Sequence, residues 1–339
     1  MAVTKELKTA CGKAGIALIM IFAFRVFGDI AVYAAASLLA DADPTLRYYV
    51  TSIISLIVLY GGCITSTAAA LGIKLSDISA LLGKTERLGK AVSWVVPTYG
   101  AGQLINFIVL FISYILLKNT SAVQQTYSPI TSGDSALSPA TVVFLVIQLS
   151  VFAPIFEEIW FRGVIQTALK DYGNGFAILV SALCFGMAHG NLHQFCFTFV
   201  IGIVLGYVRY ATNSIKPTMI IHCILNSIAA VILLLISSEP VTSAIDKASH
   251  GIEPDGIENT MITVLGVYTL IIIIFMLVGI VSAINKLKTN RLYRPVNNYT
   301  EATKGEKFAA LCKNPLFIIG FVLCAGYIAA AIFIKTINV

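Results

Sequence analysis

The sequence predicts an all-α protein, a polytopic bundle of about nine transmembrane helices. Three observations predict it. The chain of 339 residues is 58% hydrophobic. Only 12% of its residues are charged, against about 25% in an ordinary soluble protein. Its apolar residues also fall in blocks near the ~20 residues that a helix needs to cross a bilayer. Lipid offers no partner to open backbone, so such blocks must close their hydrogen bonds internally as helices. A transmembrane barrel would instead show short segments alternating apolar and polar, and Leu265–Val281 does not alternate.

The blocks place spans at 14–39, 50–72, 91–117, 140–165, 175–189, 193–210, 217–237, 260–285 and 314–335. Lys5, Lys8 and Lys13 precede the first, and Ala34-Ala35-Ala36 resembles a signal-peptidase site. The apolar stretch runs on to Leu39, which favours an uncleaved first helix over a cleaved signal covering residues 1–36. The fifth and sixth spans are short, with Gly190-Asn191-Leu192-His193 turning between them. Residues 1–139 then carry about three N-terminal helices, 140–240 a polar-rich core, and 241–339 about two C-terminal helices. No internal repeat, low-complexity tract or second composition regime is present, so no separate soluble domain is expected.

Charge sets the orientation. With the N-terminus in the cytoplasm, inside segments hold 17 Lys and Arg and outside segments four: Arg47, Lys118, Lys247 and Lys335. Cytoplasmic loops carry such an excess, so the reading is a multi-pass protein of the cell membrane, N-terminus inside. The net charge of +6 lies between apolar blocks, where it reads as topology and not as a nucleic-acid surface. The outside loop 239–259 is acidic and the inside loop 286–313 basic, suited to anionic lipid. The seven cysteines form no CxxC pair and read as small buried hydrophobes.

Ionisable residues inside a membrane helix cost about 2.5–3.5 kcal/mol each on insertion scales, so their positions carry functional information. Three clusters fall in the middle third. In Phe156-Glu157-Glu158-Ile159-Trp160-Phe161-Arg162, Glu158 and Arg162 are four apart and share a helix face. Glu157 is rotated from Glu158 by about 100°. One carboxylate is thus neutralised while the other points elsewhere. The second cluster is Phe185-Gly186-Met187-Ala188-His189, with His193 a turn further on. The third is His222-Cys223-Ile224-Leu225-Asn226, whose His222 and Asn226 share a face and both donate hydrogen bonds. Arg25 and Asp29, four apart, read as a local pair, and neither they nor Asn106 extend the set. A carboxylate base, two imidazoles, an amide and a supporting arginine are the inventory for activating a water and stabilising an oxyanion. Taken singly, each cluster also reads as structural, as a salt bridge or as hydrogen-bonded helix contacts.

The ordered trio EExxxR at Glu157–Arg162, FxxxH at Phe185–His189 and HxxxN at His222–Asn226 resembles the signature motifs of the CPBP family. These are the CAAX proteases and bacteriocin-processing enzymes, also called Abi. The resemblance covers about residues 140–240 and implies an intramembrane endopeptidase acting on a membrane-associated protein or peptide. It implies Glu157 as general base, His189 orienting the water, His222 and Asn226 as the oxyanion hole, and Glu158 with Arg162 in support. The cofactor it implies is none beyond a catalytic water. A zinc ion on His189 and His222 stays open, because two His and a Glu can form a three-ligand catalytic site. Two other functions stay open: a non-catalytic immunity or scaffold protein on the same fold, and a proton-coupled transporter, which should show paired repeats. Counted along ideal helices, Glu157 lies nearer the cytoplasmic side and His189 nearer the outside, an axial mismatch of roughly 10 Å. A tilted or displaced fifth span is therefore expected.

Overall fold

The structure, a computed structural model, describes residues 5–83, 85, 88–117, 138–289 and 302–337. Lys84, Arg87, Lys118, Arg291 and Arg294, which enter the charge asymmetry, lie outside the described residues. Among the described residues all regular structure is helical. The long elements are α1 (Lys5–Leu38), α2 (Pro44–Leu71), α5 (Val95–Leu117), α6 (Pro139–Ala168), α8 (Leu192–Thr212), α9 (Lys216–Ile236), α11 (Gly256–Thr289) and α13 (Pro315–Ile337). Shorter ones are α3 (Leu75–Leu81), α4 (Leu88–Val92), α7 (Asn174–Ala188), α10 (Glu239–Ser249) and α12 (Lys304–Lys313).

Each apolar block predicted from the sequence is a helix, but they are not equal. Seven are long and apolar enough to cross a membrane, and the α12–α13 pair, bent by 75°, makes an eighth. The remaining block is α7, whose 15 residues extend only about 22 Å. α1 and α13 run parallel: Gly15 meets Leu316, Leu18 meets Gly320, and Arg25 meets Tyr327. α5 and α11 run antiparallel: Ser93 meets Lys286, and Gly100 meets Gly279.

The chain forms two compact units. The first is Met1–Val92, Ile155–Met219 and Arg291–Val339; the second is Ser93–Pro154 and Ile220–Asn290.

In the first unit, α1 and α13 approach so closely that a Cβ on Gly15 would fall 2.3 Å from the Leu316 carbonyl carbon. Small residues let membrane helices pack backbone to backbone. The Cys324 thiol donates to the Leu18 carbonyl at 3.3 Å along the same seam. All seven cysteines are free thiols, and Cys11, Cys63, Cys184 and Cys324 are buried. α2 begins at Pro44, where Asp43 accepts from the Thr45 and Leu46 amides. It packs antiparallel to α1, with Phe24 against Gly62 and Gly28 against Leu59.

α7 and α8 form a tight antiparallel hairpin. Gly202 and Gly206 of α8 lie against Ala182 and Ile178, with the Ala182 Cβ 3.0 Å from where a Gly202 Cβ would stand. The side chains of Arg162 and Gln166 donate to the carbonyls of those same glycines, at 3.2 and 2.9 Å. Two residues a turn apart on α6 thereby read two carbonyls a turn apart on α8, which fixes the parallel register of these helices. The carbonyls that close this region also find amines: Lys13 Nζ donates to Ala168 O at 3.3 Å and Lys307 Nζ to Tyr172 O at 2.9 Å. Cations suit the carbonyl end of a helix.

In the second unit, α5 and α11 meet at Gly100 and Gly279, and Tyr99 packs on Phe275 at 5.3 Å. The acidic 239–259 segment is not a bare loop. It contains α10, whose Lys247 pairs with Glu258 at 2.7 Å while the Ser243 hydroxyl donates to the same carboxylate at 2.6 Å.

Candidate active site

α6 is not a plain α-helix. π-helical turns at Gln148–Phe152 and Ile159–Ile165 flank the short α segment Ala153–Glu158, which carries both glutamates. Such wide turns often mark functional positions. Glu158 and Arg162 form the pair that their spacing predicts: Arg162 Nη1 lies 2.8 Å from Glu158 Oε1, and both side chains are fully buried. The second guanidinium nitrogen reaches Gly202 O, and the Phe185 ring covers the Arg162 carbon at 4.6 Å from its centroid. A buried ion pair needs such further partners to offset its desolvation.

Glu157 leaves the helix on another face. Its Oε1 accepts a hydrogen bond from the Tyr60 hydroxyl at 3.0 Å. Tyr60 comes from α2, on a third π turn at Ile57–Gly62, and its ring stacks on Phe156 at 5.4 Å. Sequence reasoning missed Tyr60. A lone tyrosine in an apolar span carries no signal, and its partner lies 97 residues away.

His189 sits just past the end of α7 as its C-cap, with Nδ1 2.8 Å from Phe185 O and its ring edge-on to the Phe185 ring at 5.0 Å. Phe185 is thus shared: one neighbour is Arg162 of the first motif and the other is His189 of the second. The Ser181 hydroxyl donates to Phe161 O at 2.8 Å, and the Phe185 and Phe161 rings meet at 5.1 Å. In this antiparallel register, one turn beyond Phe185 on α7 is level with one turn before Phe161 and Arg162 on α6. His189 thus stands one turn past the contacts that join α7 to Phe161 and Arg162 of α6.

The turn after His189 is held by Gly190, at φ 69°, a left-handed conformation that favours glycine. It also has no room for a side chain: a Cβ there would lie 2.8 Å from the Tyr327 ring and 3.3 Å from Arg25 Nε. Asn191 then caps α8 by accepting from the Gln194 amide at 2.8 Å. Arg25 and Asp29 are therefore not merely a local pair. Their direct contact is long, 4.0 Å. The Tyr327 hydroxyl stands between them, accepting from Arg25 Nε at 3.3 Å and donating to Asp29.

His222 and Asn226 belong to the second unit, on α9. His222 is buried. Asn226 Nδ2 donates to Leu149 O at 3.0 Å. The π turn explains the acceptor. There the Ala153 amide bonds Gln148 O, and the next donor in that register is Pro154, which has no N–H. Asn226 supplies a proton to the carbonyl that proline leaves open, and its second amide hydrogen points elsewhere. Among the described residues no three His, Cys, Asp or Glu side chains gather at metal-binding range.

Residues 139–228 match the family described as type II CAAX prenyl endopeptidase Rce1-like. Over this stretch the chain is similar to that family. All three motifs lie within it, and both compact units contribute to it. A protein of Bacillus subtilis (strain 168) with the name "Putative membrane peptidase YdiL" is 24% identical over 174 residues, 49% of this chain and 65% of its own length. The chain therefore covers less than two thirds of that relative. No solved structure matches the chain. The apolar helices make this a multi-pass membrane protein, and its residues 139–228 are similar to a family of membrane peptidases.

Proposed function

We propose that the chain is an intramembrane endopeptidase that hydrolyses a peptide bond of a membrane-associated protein or peptide, with Glu157 activating the water. The observation that carries this reading is the unequal fate of two adjacent carboxylates. Glu158 is fully buried against Arg162. Glu157 turns away from that pair toward the Tyr60 hydroxyl, on the helix that Phe185 couples to His189.

In the proposed reaction Glu157 takes a proton from water as the water oxygen attacks the scissile carbonyl carbon. His189 orients that water. His222 and Asn226 donate to the resulting oxyanion, an interaction strongest in the transition state. The tetrahedral intermediate collapses as the C–N bond breaks. Glu157 returns its proton to the leaving nitrogen, giving one fragment with a new carboxyl terminus and one with a new amine. The substrate class is a CAAX-type or bacteriocin-related chain, as the family description and the motifs suggest. The N-terminus is cytoplasmic and the C-terminus outside, a reading supported by the charge asymmetry and by the parallel course of α1 and α13.

The test compares membrane proteomes of cells carrying native protein or Glu157→Gln at equal abundance. Fragments produced only by the native protein are expected. Identical proteomes, together with no cleavage of a farnesylated CAAX-type peptide by purified protein, would overturn the protease and favour a scaffold on the same fold.

A further inference from the structure

The Arg25 cluster is the polar feature of the first unit that the reaction above leaves unused. Arg25 lies near the middle of its span, about 17 Å along the helix from Ala14 at 1.5 Å per residue. Its side chain is 34% exposed. Nε is committed to the Tyr327 hydroxyl, which passes a hydrogen bond on to Asp29. This relay lies on the Nε edge of the guanidinium and holds the plane in place, with the Tyr327 ring 5.8 Å from the Arg25 carbon. Among the described residues, the terminal nitrogens Nη1 and Nη2 donate to nothing. A guanidinium in a membrane span with its fork open is costly unless something binds it. The fork matches a planar, two-oxygen anion, which it bonds bidentately.

Position decides which anion. Lipid phosphates lie at the faces of a hydrocarbon core about 30 Å thick, and Arg25 is near mid-depth. Its Nε packs against Gly190, the residue after His189. We propose that the open fork of Arg25 is a clamp for the free C-terminal carboxylate of the peptide being cleaved. The proposal rests on the peptidase reading and deepens it. Arg25 would make the enzyme read a chain end and not an internal segment. Because each residue spans at most about 3.6 Å, a carboxylate held beside the His189 turn leaves room for only a short departing peptide. Asp29 does not compete for the fork, since it meets the guanidinium at Nε and through Tyr327. It fixes the orientation in which the fork is presented.

The experiment uses the full-length protein in vesicles and two farnesylated CAAX-type peptides that differ only at the end, one a free acid and one an amide. Native protein is expected to cleave the acid with a KM roughly 10- to 100-fold lower, the size of a charge-assisted pair. Arg25→Gln should bring the KM values for acid and amide together; because the Gly190 turn beside His189 also leans on Arg25, this ratio and not the absolute rate reads the clamp, and the turnover that remains shows that the variant folds. Arg25→Lys, which keeps charge but not the fork, should fall between. Binding of both peptides to Glu157→Gln protein gives a readout that needs no turnover. Preference for the acid there, lost in Glu157→Gln/Arg25→Gln, supports the clamp even if the reaction assigned to Glu157 is wrong. Equal binding and cleavage of acid and amide by native protein overturns the clamp and leaves the peptidase standing. An Arg25→Gln defect that scales with the phosphatidylglycerol content of the vesicles, and not with the peptide end, also overturns it and assigns the fork to a lipid headgroup.

Discussion

The Tyr60 hydroxyl donates to Glu157 Oε1 at 3.0 Å, joining the second helix of the chain to the first carboxylate of the EExxxR motif. A carboxylate on a helix otherwise has rotamer freedom, and a general base must meet its water within hydrogen-bond reach. In the proposed reaction Tyr60 is therefore a positioning residue. Tyr60→Phe should lower kcat about 10-fold, in keeping with the 1.5–3 kcal/mol of a hydrogen bond to a charged group, and leave KM for peptide close to native. Steady-state cleavage of a fluorogenic peptide separates the two. An unchanged kcat would remove Tyr60 from the machinery.

Glu158 and Arg162 should behave as a structural unit. Arg162→Met strands a fully buried carboxylate and is expected to cost about 3–5 kcal/mol. Glu158→Gln/Arg162→Met should recover at least about 1 kcal/mol of that, because the charge is gone too. Thermal unfolding in detergent measures both, and equal loss in the single and double variants contradicts the pairing.

Gly190 combines a left-handed backbone with a filled environment, whereas Gly72, at φ 72°, has nothing within 4 Å of a Cβ. Asparagine tolerates the left-handed region. Gly72→Asn is expected to change stability by less than about 0.5 kcal/mol. Gly190→Asn should cost about 1–3 kcal/mol and displace His189, with activity falling further than stability. If the two variants unfold alike, crowding by Tyr327 and Arg25 is not what holds this turn.

In the proposed reaction Asn226 has two separable jobs. Asn226→Ala should abolish cleavage and cost about 1 kcal/mol by stranding Leu149 O. Adding Pro154→Ala restores an N–H in the register that reaches Leu149, so Pro154→Ala/Asn226→Ala should regain stability without regaining activity. Recovery of activity in the double variant would show that Asn226 serves the helix alone.

The Glu158–Arg162 pair was legible in the sequence because helical periodicity alone brings residues four apart together, and the wider π turn leaves them in reach. The helical segments were legible for a similar reason: apolar content marks them whatever surrounds them. The shortness of α7 was legible too, because the polar Gly190-Asn191 turn ends its apolar block after 15 residues. The π turns were not legible, since they record where helix hydrogen bonds shift register, and only the one at Gln148–Phe152 has a proline, Pro154, beside it. Nor was the tie between Arg25, Tyr327 and Gly190, because it joins the two ends of the chain to its middle. Spacing reports neighbours on one helix; Tyr60 opposite Glu157 is a fact of tertiary packing.

Family likeness draws its border around residues 139–228, yet several partners of that stretch lie beyond the border. Ala168 O depends on Lys13, Tyr172 O on Lys307, Glu157 on Tyr60, and the Gly190 turn on Arg25 and Tyr327. The motif-bearing stretch is thus no portable cassette. Grafted into another bundle, or inherited beside different flanking helices, it would arrive with bare carbonyls where α6 ends and an unsteadied carboxylate at its centre. The recipient would have to evolve its own lysines and its own hydroxyl.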